Sequence, residues 1–329
     1  SATNMQLTFA NTDVFNGDVT SWDTSSATTM SGMFQNAPLF NQDISGWETI
    51  SVTNMSSMFQ GAAAFNQDIN TVPAGGNNGG TAWDTSNVTT MAGMFYTASV
   101  FNGDISDWNV SNVTAMNQMF QSAVAFNQDV TAWDTSSVVQ MESLFNGIPN
   151  FNQDVSGWDT SSATNMSWMF NGNSSFNQNL SNWDVADVTT MLNMLNGTTL
   201  STANYDATLA SWAAQTVQAA VPLGASGLTY CVGEAAHDSL VADDSWTITG
   251  DSLDCSNTVL PGGVNAYQAV WLKADAGLDE TDGQAIDQWN DSSIAGRNAT
   301  QADADRRAEL TANNLNHNPT VTFTPVDLN

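Results

Sequence analysis

The chain has 329 residues and a formal net charge of −29 at pH 7, from 33 acidic and only 4 basic residues. The basic residues are Lys273, Arg297, Arg306 and Arg307, so the first two thirds of the chain lack the positive surface that nucleic acids and anionic lipids require. No apolar stretch is long enough to cross a bilayer. We therefore expect neither nucleic-acid binding nor membrane insertion.

A phrase of 25 residues recurs from position 1 to about 199. Its form is M-x-x-M-F-x-x-A-x-x-F-N-x-D-[IV]-x-x-W-D, and eight methionines open its copies: Met5, Met30, Met55, Met91, Met116, Met141, Met166 and Met191. A fixed period of this length is typical of small units that stack and share one core. We therefore predict a solenoid of about eight coils over residues 1–199.

Each coil is expected to combine a short helix with an extended segment, which makes the predicted fold class α/β. In the third copy Met55, Met58, Phe59 and Ala62 fall at i, i+3, i+4 and i+7, the spacing of one helix face. The segment at 83–86, Trp-Asp-Thr-Ser, is predicted to be extended. The repeated Met, Phe and Trp side chains then form interior columns, so we interpret them as core.

One coil is interrupted by an insert at 70–80, which is rich in glycine and asparagine and includes Pro73. This composition is typical of a surface loop. Loops on rigid scaffolds often carry function. The insert has no aromatic or charged residue, and this favours a tolerated insertion.

Two columns of acidic residues follow from the period. The first is the aspartate of the Phe-Asn-x-Asp phrase: Asp18, Asp43, Asp68, Asp104, Asp129 and Asp154, with Asn179 in the last copy. No Lys or Arg is available in the repeats to neutralise it. Either these carboxylates hold turns by accepting backbone N–H groups, or they bind calcium, which prefers several oxygen ligands. We expect no required cofactor, and calcium is the one candidate.

The second column follows each repeat tryptophan: Asp23, Glu48, Asp84, Asp134, Asp159 and Asp184, with Asn109 in the fifth copy. Its mixture of Asp, Glu and Asn argues against strict metal ligation. We expect it to lie on an exposed strand face where a partner binds. Threonines next to this column, such as Thr24, Thr85, Thr135 and Thr160, also suggest a remote alternative, ice binding by a flat threonine-rich face.

Residues 200–260 are predicted to form a small α+β cap. Tyr205, Leu209 and Trp212 give a helical stripe, 234–241 indicates a second helix, and 246–249 a strand. The chain has two cysteines, Cys231 and Cys255. They form either one disulfide, which requires an oxidising compartment, or two free buried thiols.

A linker with Pro261 begins the third segment, 261–329, where the composition changes and the basic residues occur. No catalytic motif is recognisable, since His237 and His317 stand apart and neither a nucleophile elbow nor a phosphate-binding loop occurs. We therefore expect no enzymatic activity.

The repeat resembles the BspA-type leucine-rich-repeat-like surface proteins, in the branch with the Mycoplasma-type lipoprotein repeat of 25 residues. The phrases that carry the resemblance are Phe40–Trp47 and Val52–Phe59, and it extends over about 200 residues. It implies a leucine-rich-repeat-like, right-handed stack and a secreted or cell-surface bacterial protein, often adhesive. Residues 230–249 and Cys255 look like the cap that follows such arrays.

Residues 261–329 look like the beginning of a concanavalin-like, laminin-G-type jelly roll, on the phrases at 270–277, 288–291, 298–301 and 318–323. Such domains usually bind glycans or proteins. The two resemblances together imply a segment of a large bacterial adhesin with glycan or surface-protein partners. The alternative is a rigid spacer or filament segment, stiffened by calcium. The oligomeric state is left open.

Overall fold

The computed structural model of the chain describes residues 2–256 and, beyond them, the backbone of strands at 259–260, 264–265, 285–286, 288–289, 299–300, 308–315 and 318–322. The chain divides into two units, Ser1–Leu253 and Asp254–Asn329. The first unit contains all copies of the repeat.

The segment that opens each coil is a series of tight turns, and the short helix predicted for it is wrong. Within residues 2–199 no α-helix is present. In the second coil the N–H of Met33 donates to the carbonyl of Met30 at 3.1 Å, and Gly32, the third residue of this turn, has a φ of 61°. Positive φ at that position is a feature of type II turns and is incompatible with a continuous helix.

Two positions of every coil have positive φ: Leu7, Asn11, Gly32, Asn36, Ser57, Gly61, Gly93, Thr97, Gln118, Ser122, Ser143, Gly147, Trp168, Gly172, Asn193 and Gly197. Apolar residues at i, i+3, i+4 and i+7 share one side of these turns, as they would share one face of a helix. The hydrophobic spacing is therefore compatible with both structures.

Every second N–H of the same segment donates to the following coil. Met30 donates to the carbonyl of Asn54 at 3.0 Å and Phe34 to that of Met58 at 2.9 Å. Isolated parallel bridges pair Asn4 with Thr29, Thr29 with Asn54, Asn54 with Thr90, Thr90 with Ala115, Ala115 with Gln140, Gln140 with Asn165, and Asn165 with Thr190. Successive copies are hydrogen-bonded neighbours, and their buried backbone groups are paired without long strands.

Two columns of phenylalanine fill the interior of the stacked coils. The ring centroids of Phe34 and Phe40 lie 3.7 Å apart within the second coil. Each ring stacks on its equivalent in the third coil, Phe59 or Phe65, at 5.8 Å, which is within the favourable range for aromatic pairs. The Met, Phe and Trp residues of the phrase are buried from the second coil onward, so the predicted core is confirmed.

The repeat tryptophans also connect neighbouring coils. The indole Nε1–H of Trp83 donates to the carbonyl of Ile44 at 2.8 Å. Five equivalents donate to the corresponding carbonyl: Trp47, Trp108, Trp133, Trp158 and Trp183. A buried indole N–H needs an acceptor, and the preceding coil supplies one.

Exposed or half-buried asparagines form a second connection between neighbouring coils. The hydrophobic pattern of the sequence does not predict it. The Oδ1 of Asn102 accepts the N–H of Asn127 at 2.8 Å, and the Asn102 carbonyl accepts the side-chain amide of Gln128 at 2.7 Å. We call the column of these residues the asparagine ladder: Asn16, Asn41, Asn66, Asn102, Asn127, Asn152 and Asn177.

The last coil is followed by a small group of helices and short strands. They are α1 (Thr202–Ala213), β1 (Pro222–Gly224), β2 (Thr229–Tyr230), α2 (Glu234–Ala242), β3 (Thr247–Thr249) and β4 (Ser252–Leu253), with β1 parallel to β3 and β2 parallel to β4. Both helices and β3 lie where the sequence predicts them. The N–H groups of Met191 and Leu195 donate to the carbonyls of Pro222 and Gly224, each at 2.9 Å. Strand β1 therefore accepts the hydrogen bonds that a further coil would accept.

Neither cysteine is a free thiol. Cys231 and Cys255, the two cysteines of the chain, are both disulfide-bonded. None of the helices among the described residues has the length and apolar character needed to cross a bilayer.

The described part of the second unit consists of antiparallel strands. They are β5 (Val259–Leu260) paired with β6 (Val264–Asn265), β8 (Gln288–Trp289) paired with β9 (Ala299–Thr300), and β10 (Ala308–Leu315) between β7 (Ala285–Ile286) and β11 (Asn318–Thr322). The phrase at 270–277, on which the jelly-roll resemblance partly depends, lies outside the described residues. The jelly roll stays a prediction.

Candidate functional site

The insert at 70–80 folds over an acidic residue of the second column. Glu48 is only 7% exposed. Its Oε1 accepts the N–H of Asn78 at 2.6 Å and the N–H of Gly80 at 3.1 Å, so the loop backbone surrounds the carboxylate as backbone nests surround anions. The prediction that Glu48 lies on an exposed face is therefore wrong.

Asparagine side chains extend the contacts of the insert to the first coil. The Nδ2 of Asn77 donates to the carbonyl of Thr20 at 2.7 Å, and the Nδ2 of Asn78 donates to the carboxylate of Asp23 at 3.1 Å. The insert is thus a folded cover over the second acidic column at its first two members. Its polar composition supplies the donors for that cover.

The first acidic column holds turns. The Oδ1 of Asp129 accepts the N–H of Thr131 at 2.9 Å and its hydroxyl at 2.7 Å. These two hydrogen bonds lower the pKa of the Asp129 carboxyl, because they stabilise its ionised form. The equivalent bonds lower the pKa of three further members: Asp18, Asp43 and Asp154.

The column is irregular where the insert begins. The carboxylate of Asp68 accepts the N–H of Asp104 in the next coil at 3.0 Å, whereas Asp104 accepts the N–H of Ser106 at 3.0 Å. Within residues 2–256 no group of three or more His, Cys, Asp and Glu side chains is arranged to hold a metal ion. Calcium at Asp18, Asp43, Asp68, Asp104, Asp129 or Asp154 stays a proposal, and the turn interpretation has direct support.

The second acidic column is also engaged in local hydrogen bonds. The Oδ1 of Asp134 accepts the hydroxyl of Ser136 at 2.6 Å. In Asp159 the hydroxyl and N–H of Ser161 lower the carboxyl pKa. Five members accept an N–H from two residues on: Asp23, Asp84, Asp134, Asp159 and Asp184. These five aspartates recur at one position of stacked coils and are exposed or half-buried.

The threonines that suggested ice binding do not face solvent. Thr24, Thr85, Thr135 and Thr160 are each 1% exposed. The hydroxyl of Thr85 donates to the carbonyl of Asn109 at 2.9 Å, and the other three make the equivalent bond. The residues at 83–86 form no strand, and these hydroxyls join the coils in its place. The flat threonine face expected for ice binding is therefore absent from these positions.

One exposed aromatic residue was not identified as a candidate from the sequence. Trp168 lies outside the repeat column of tryptophans, is 37% exposed and has a φ of 62°. Its N–H donates to the carbonyl of Leu192 at 2.8 Å, and the Leu192 side chain is 46% exposed. The signal available in the sequence was a tryptophan at a variable position, in the phrase Met-Ser-Trp-Met that begins at Met166.

A cluster of titratable groups lies in the cap. The hydroxyl of Tyr205 donates to the carboxylate of Asp251 at 2.7 Å, and the Nε2 of His237 lies 3.6 Å from the same carboxylate oxygen. Burial raises the pKa of the Tyr205 phenol well above its usual value, and the negative charge of Asp251 adds to this effect. The cluster joins α1 and α2 to the end of the cap.

The buried carboxylate of Asp206 in α1 holds the turn before α2. It is 4% exposed and accepts the N–H groups of Cys231, Val232 and Gly233 at 2.8, 3.1 and 2.9 Å. Several N–H donors directed at one carboxylate compensate for its burial. Together with the neighbouring cluster, it gives the cap its polar interior.

The copies of one phrase, hydrogen-bonded at steps of 25 residues and, across the insert, one step of 36, define a repeat protein. A family model, described as "Mycoplasma protein of unknown function, DUF285", matches residues 1–78, 74–147 and 126–222. These ranges together cover residues 1–222 of 329, so the chain belongs to this family. No curated protein and no solved structure matches it.

Proposed function

We propose that the chain is a non-enzymatic segment of a large secreted or cell-surface bacterial adhesin of the BspA type, which binds glycans or proteins. Membership of the repeat family and the absence of basic residues before Lys273 support this assignment. The leucine-rich-repeat-like, right-handed solenoid is part of the proposal. It is supported by hydrogen bonds from each coil to the next, although its coils contain turns where helices were expected.

Trp168 is the observation that carries the proposal. A bulky residue with positive φ is uncommon and costs conformational energy. Burial of the ring offsets only part of this conformational energy, because the residue is 37% exposed. Exposed tryptophan supplies a large apolar surface with an N–H donor, and such residues are frequent at the centres of binding surfaces. The exposed Leu192 beside it enlarges the apolar area.

The test is a glycan and matrix-protein array probed with the whole chain and with Trp168→Gln. Glutamine is the native residue at the same position of the fifth coil, Gln118, where φ is also positive at 60°, so the substitution preserves the turn. We expect binding to fall roughly tenfold, because loss of a central aromatic contact typically costs above 1 kcal/mol.

Leu7→Gln is the matched control, since Leu7 occupies the equivalent position of the first coil and is 50% exposed. It should bind like the wild type. Binding that is unchanged in Trp168→Gln would remove Trp168 from the proposal. An array on which the wild-type chain binds nothing would argue against the adhesin itself.

The second candidate function is that of a rigid spacer, favoured by the asparagine ladder and the continuous aromatic columns. If calcium stiffens it through the first acidic column, the melting temperature should rise with added calcium and fall with a chelator. An equal melting temperature in both would eliminate the calcium part. The spacer function itself would then be tested by measuring the bending stiffness of the chain in single-molecule images.

A further inference from the structure

The first coil has a row of backbone carbonyls without a hydrogen-bond donor among residues 2–256. In every later coil the corresponding carbonyls accept N–H groups from the coil before, as those of Thr29 and Met33 do from Met5 and Phe9 at 3.0 and 2.8 Å. The corresponding carbonyls of the first coil belong to Asn4, Gln6, Thr8 and Ala10 and accept no hydrogen bond from any described residue. We call this row, with the aromatic residues behind it, the first-coil edge.

The aromatic residues behind this edge are incompletely covered. Phe9, Phe15 and Trp22 are only partly buried, whereas their equivalents in the second coil are fully buried. The indole N–H of Trp22 has no acceptor among the described residues, while the six later repeat tryptophans each have one. A cleft of about 540 Å³ opens here, lined in part by Met5, Thr8 and Trp22.

Two polar residues of the first coil occupy positions that are usually apolar. The hydroxyl of Thr8 donates to the carbonyl of Met5 at 2.7 Å, and that of Thr12 to the carbonyl of Phe9 at 2.5 Å. Thr198, the equivalent of Thr12 in the eighth coil, makes the same bond to Leu195 and is only 7% exposed. A threonine at the position of Thr12 can therefore be covered, since its hydroxyl is satisfied within its own coil.

The chemistry of the first-coil edge defines its occupant. It offers acceptors at alternate residues and an apolar interior, so it requires a segment with donors at alternate residues and apolar side chains behind them. A second copy joined edge to edge would place carbonyl against carbonyl. The eighth coil of a second copy cannot serve either, because β1 already accepts the hydrogen bonds of its N–H groups. The coil of the repeat itself has the required pattern, as each interface from the first coil onward shows.

We propose that the first-coil edge is a binding surface for one further coil of the same repeat, with donors to Asn4, Gln6, Thr8 and Ala10 and an acceptor for the indole of Trp22. This inference does not depend on the adhesin proposal. It follows from the coil-to-coil interface alone, because the edge continues that interface with its acceptors free.

The experiment fuses a copy of residues 87–111, the phrase of the fourth coil, directly ahead of Ser1, so that the 25-residue register is kept. The readout is hydrogen exchange of the Trp22 indole N–H by NMR, identified with Trp22→Phe. We expect fast exchange in the unextended chain. In the extended chain exchange should slow to the range of Trp47 and Trp83, and the melting temperature should rise.

The matched control is the same extended chain with aspartate replacing both phenylalanines of the added copy, whose originals are Phe95 and Phe101. Its Trp22 indole should exchange as fast as in the unextended chain. Fast exchange with the unaltered copy would overturn the proposal. So would slow exchange in the unextended chain that depends on protein concentration, because a second copy would then occupy the edge.

Discussion

At the scale of single residues, the repeated side chains are engaged in holding one coil to the next. Phe120 is fully buried, with its ring 5.5 Å from Phe95, 5.8 Å from Phe145 and 3.9 Å from Phe126. Because such residues are buried, they are unavailable to a ligand. A ligand therefore has to contact exposed side chains, of which Trp168 is the largest apolar one among residues 2–256.

Phe120→Ala should reduce the free energy of unfolding by about 3–5 kcal/mol, since it leaves a cavity between two stacked neighbours. Phe9→Ala, at the partly covered edge, should cost clearly less. Denaturant unfolding followed by fluorescence measures both. Equal losses for the two variants would contradict the difference in burial.

Asn102→Ala should cost about 1 kcal/mol, because the N–H of Asn127 loses its acceptor. Asn102→Asp keeps an oxygen at the same place and should recover most of the loss in 0.5 M salt, where added charge repulsion is screened. Thermal unfolding of the three proteins in that salt is the measurement. An aspartate variant no more stable than the alanine variant would show that the asparagine ladder does not act through this acceptor.

At the scale of elements, the carboxylate of Glu48 is the group that accepts two backbone N–H groups of the insert. Glu48→Ala should release the loop at 70–80 and increase its cleavage by a non-specific protease, because the N–H groups of Asn78 and Gly80 lose their acceptor. The control is Asp134→Ala, which removes a carboxylate from the same column far from the insert. Cleavage of the loop at the wild-type rate in Glu48→Ala would contradict this role.

The sequence was sufficient for the period, the core columns and the cap helices, because burial and capping leave strong local patterns. It was misleading for the coil opening, where the spacing of Met55, Met58 and Phe59 suits a helix and a series of turns equally. Only the glycines and asparagines at the positive-φ positions, such as Gly32 and Asn36, distinguish the two. The burial of Glu48 could not be predicted from the sequence, since the insert that covers it lies about 30 residues later in the chain.

At the scale of the whole molecule, charge sets the response to solution conditions. A net charge of −29 makes the folded chain repel itself. Raising the salt concentration at pH 7 should therefore raise the melting temperature, because the exposed carboxylates are screened. From about 0.02 to about 0.5 M NaCl the Debye length becomes about fivefold shorter. A melting temperature that decreases over this range of salt would contradict the expected effect of charge repulsion.

The response to pH follows from the turn carboxylates. Their folded-state pKa values are lowered, as in Asp18, Asp43, Asp129 and Asp154, so they add stability above the unfolded pKa of about 3.9. That stability is lost as the pH falls through the folded values. In 0.5 M salt the melting temperature should drop below about pH 4. Asp129→Asn should weaken this pH dependence, and Asn179 shows that asparagine fits the position.

The central claim is that each coil donates every second N–H of its opening segment to the next coil. Scalar couplings through hydrogen bonds, measured by NMR, test it directly. We expect a coupling from the N–H of Phe95 to the carbonyl of Met119, whose atoms lie 2.8 Å apart, and from Gly93 to Asn117 at 2.9 Å. Couplings from these N–H groups to carbonyls four residues earlier in the same coil would show helices in place of stacked turns and contradict the account.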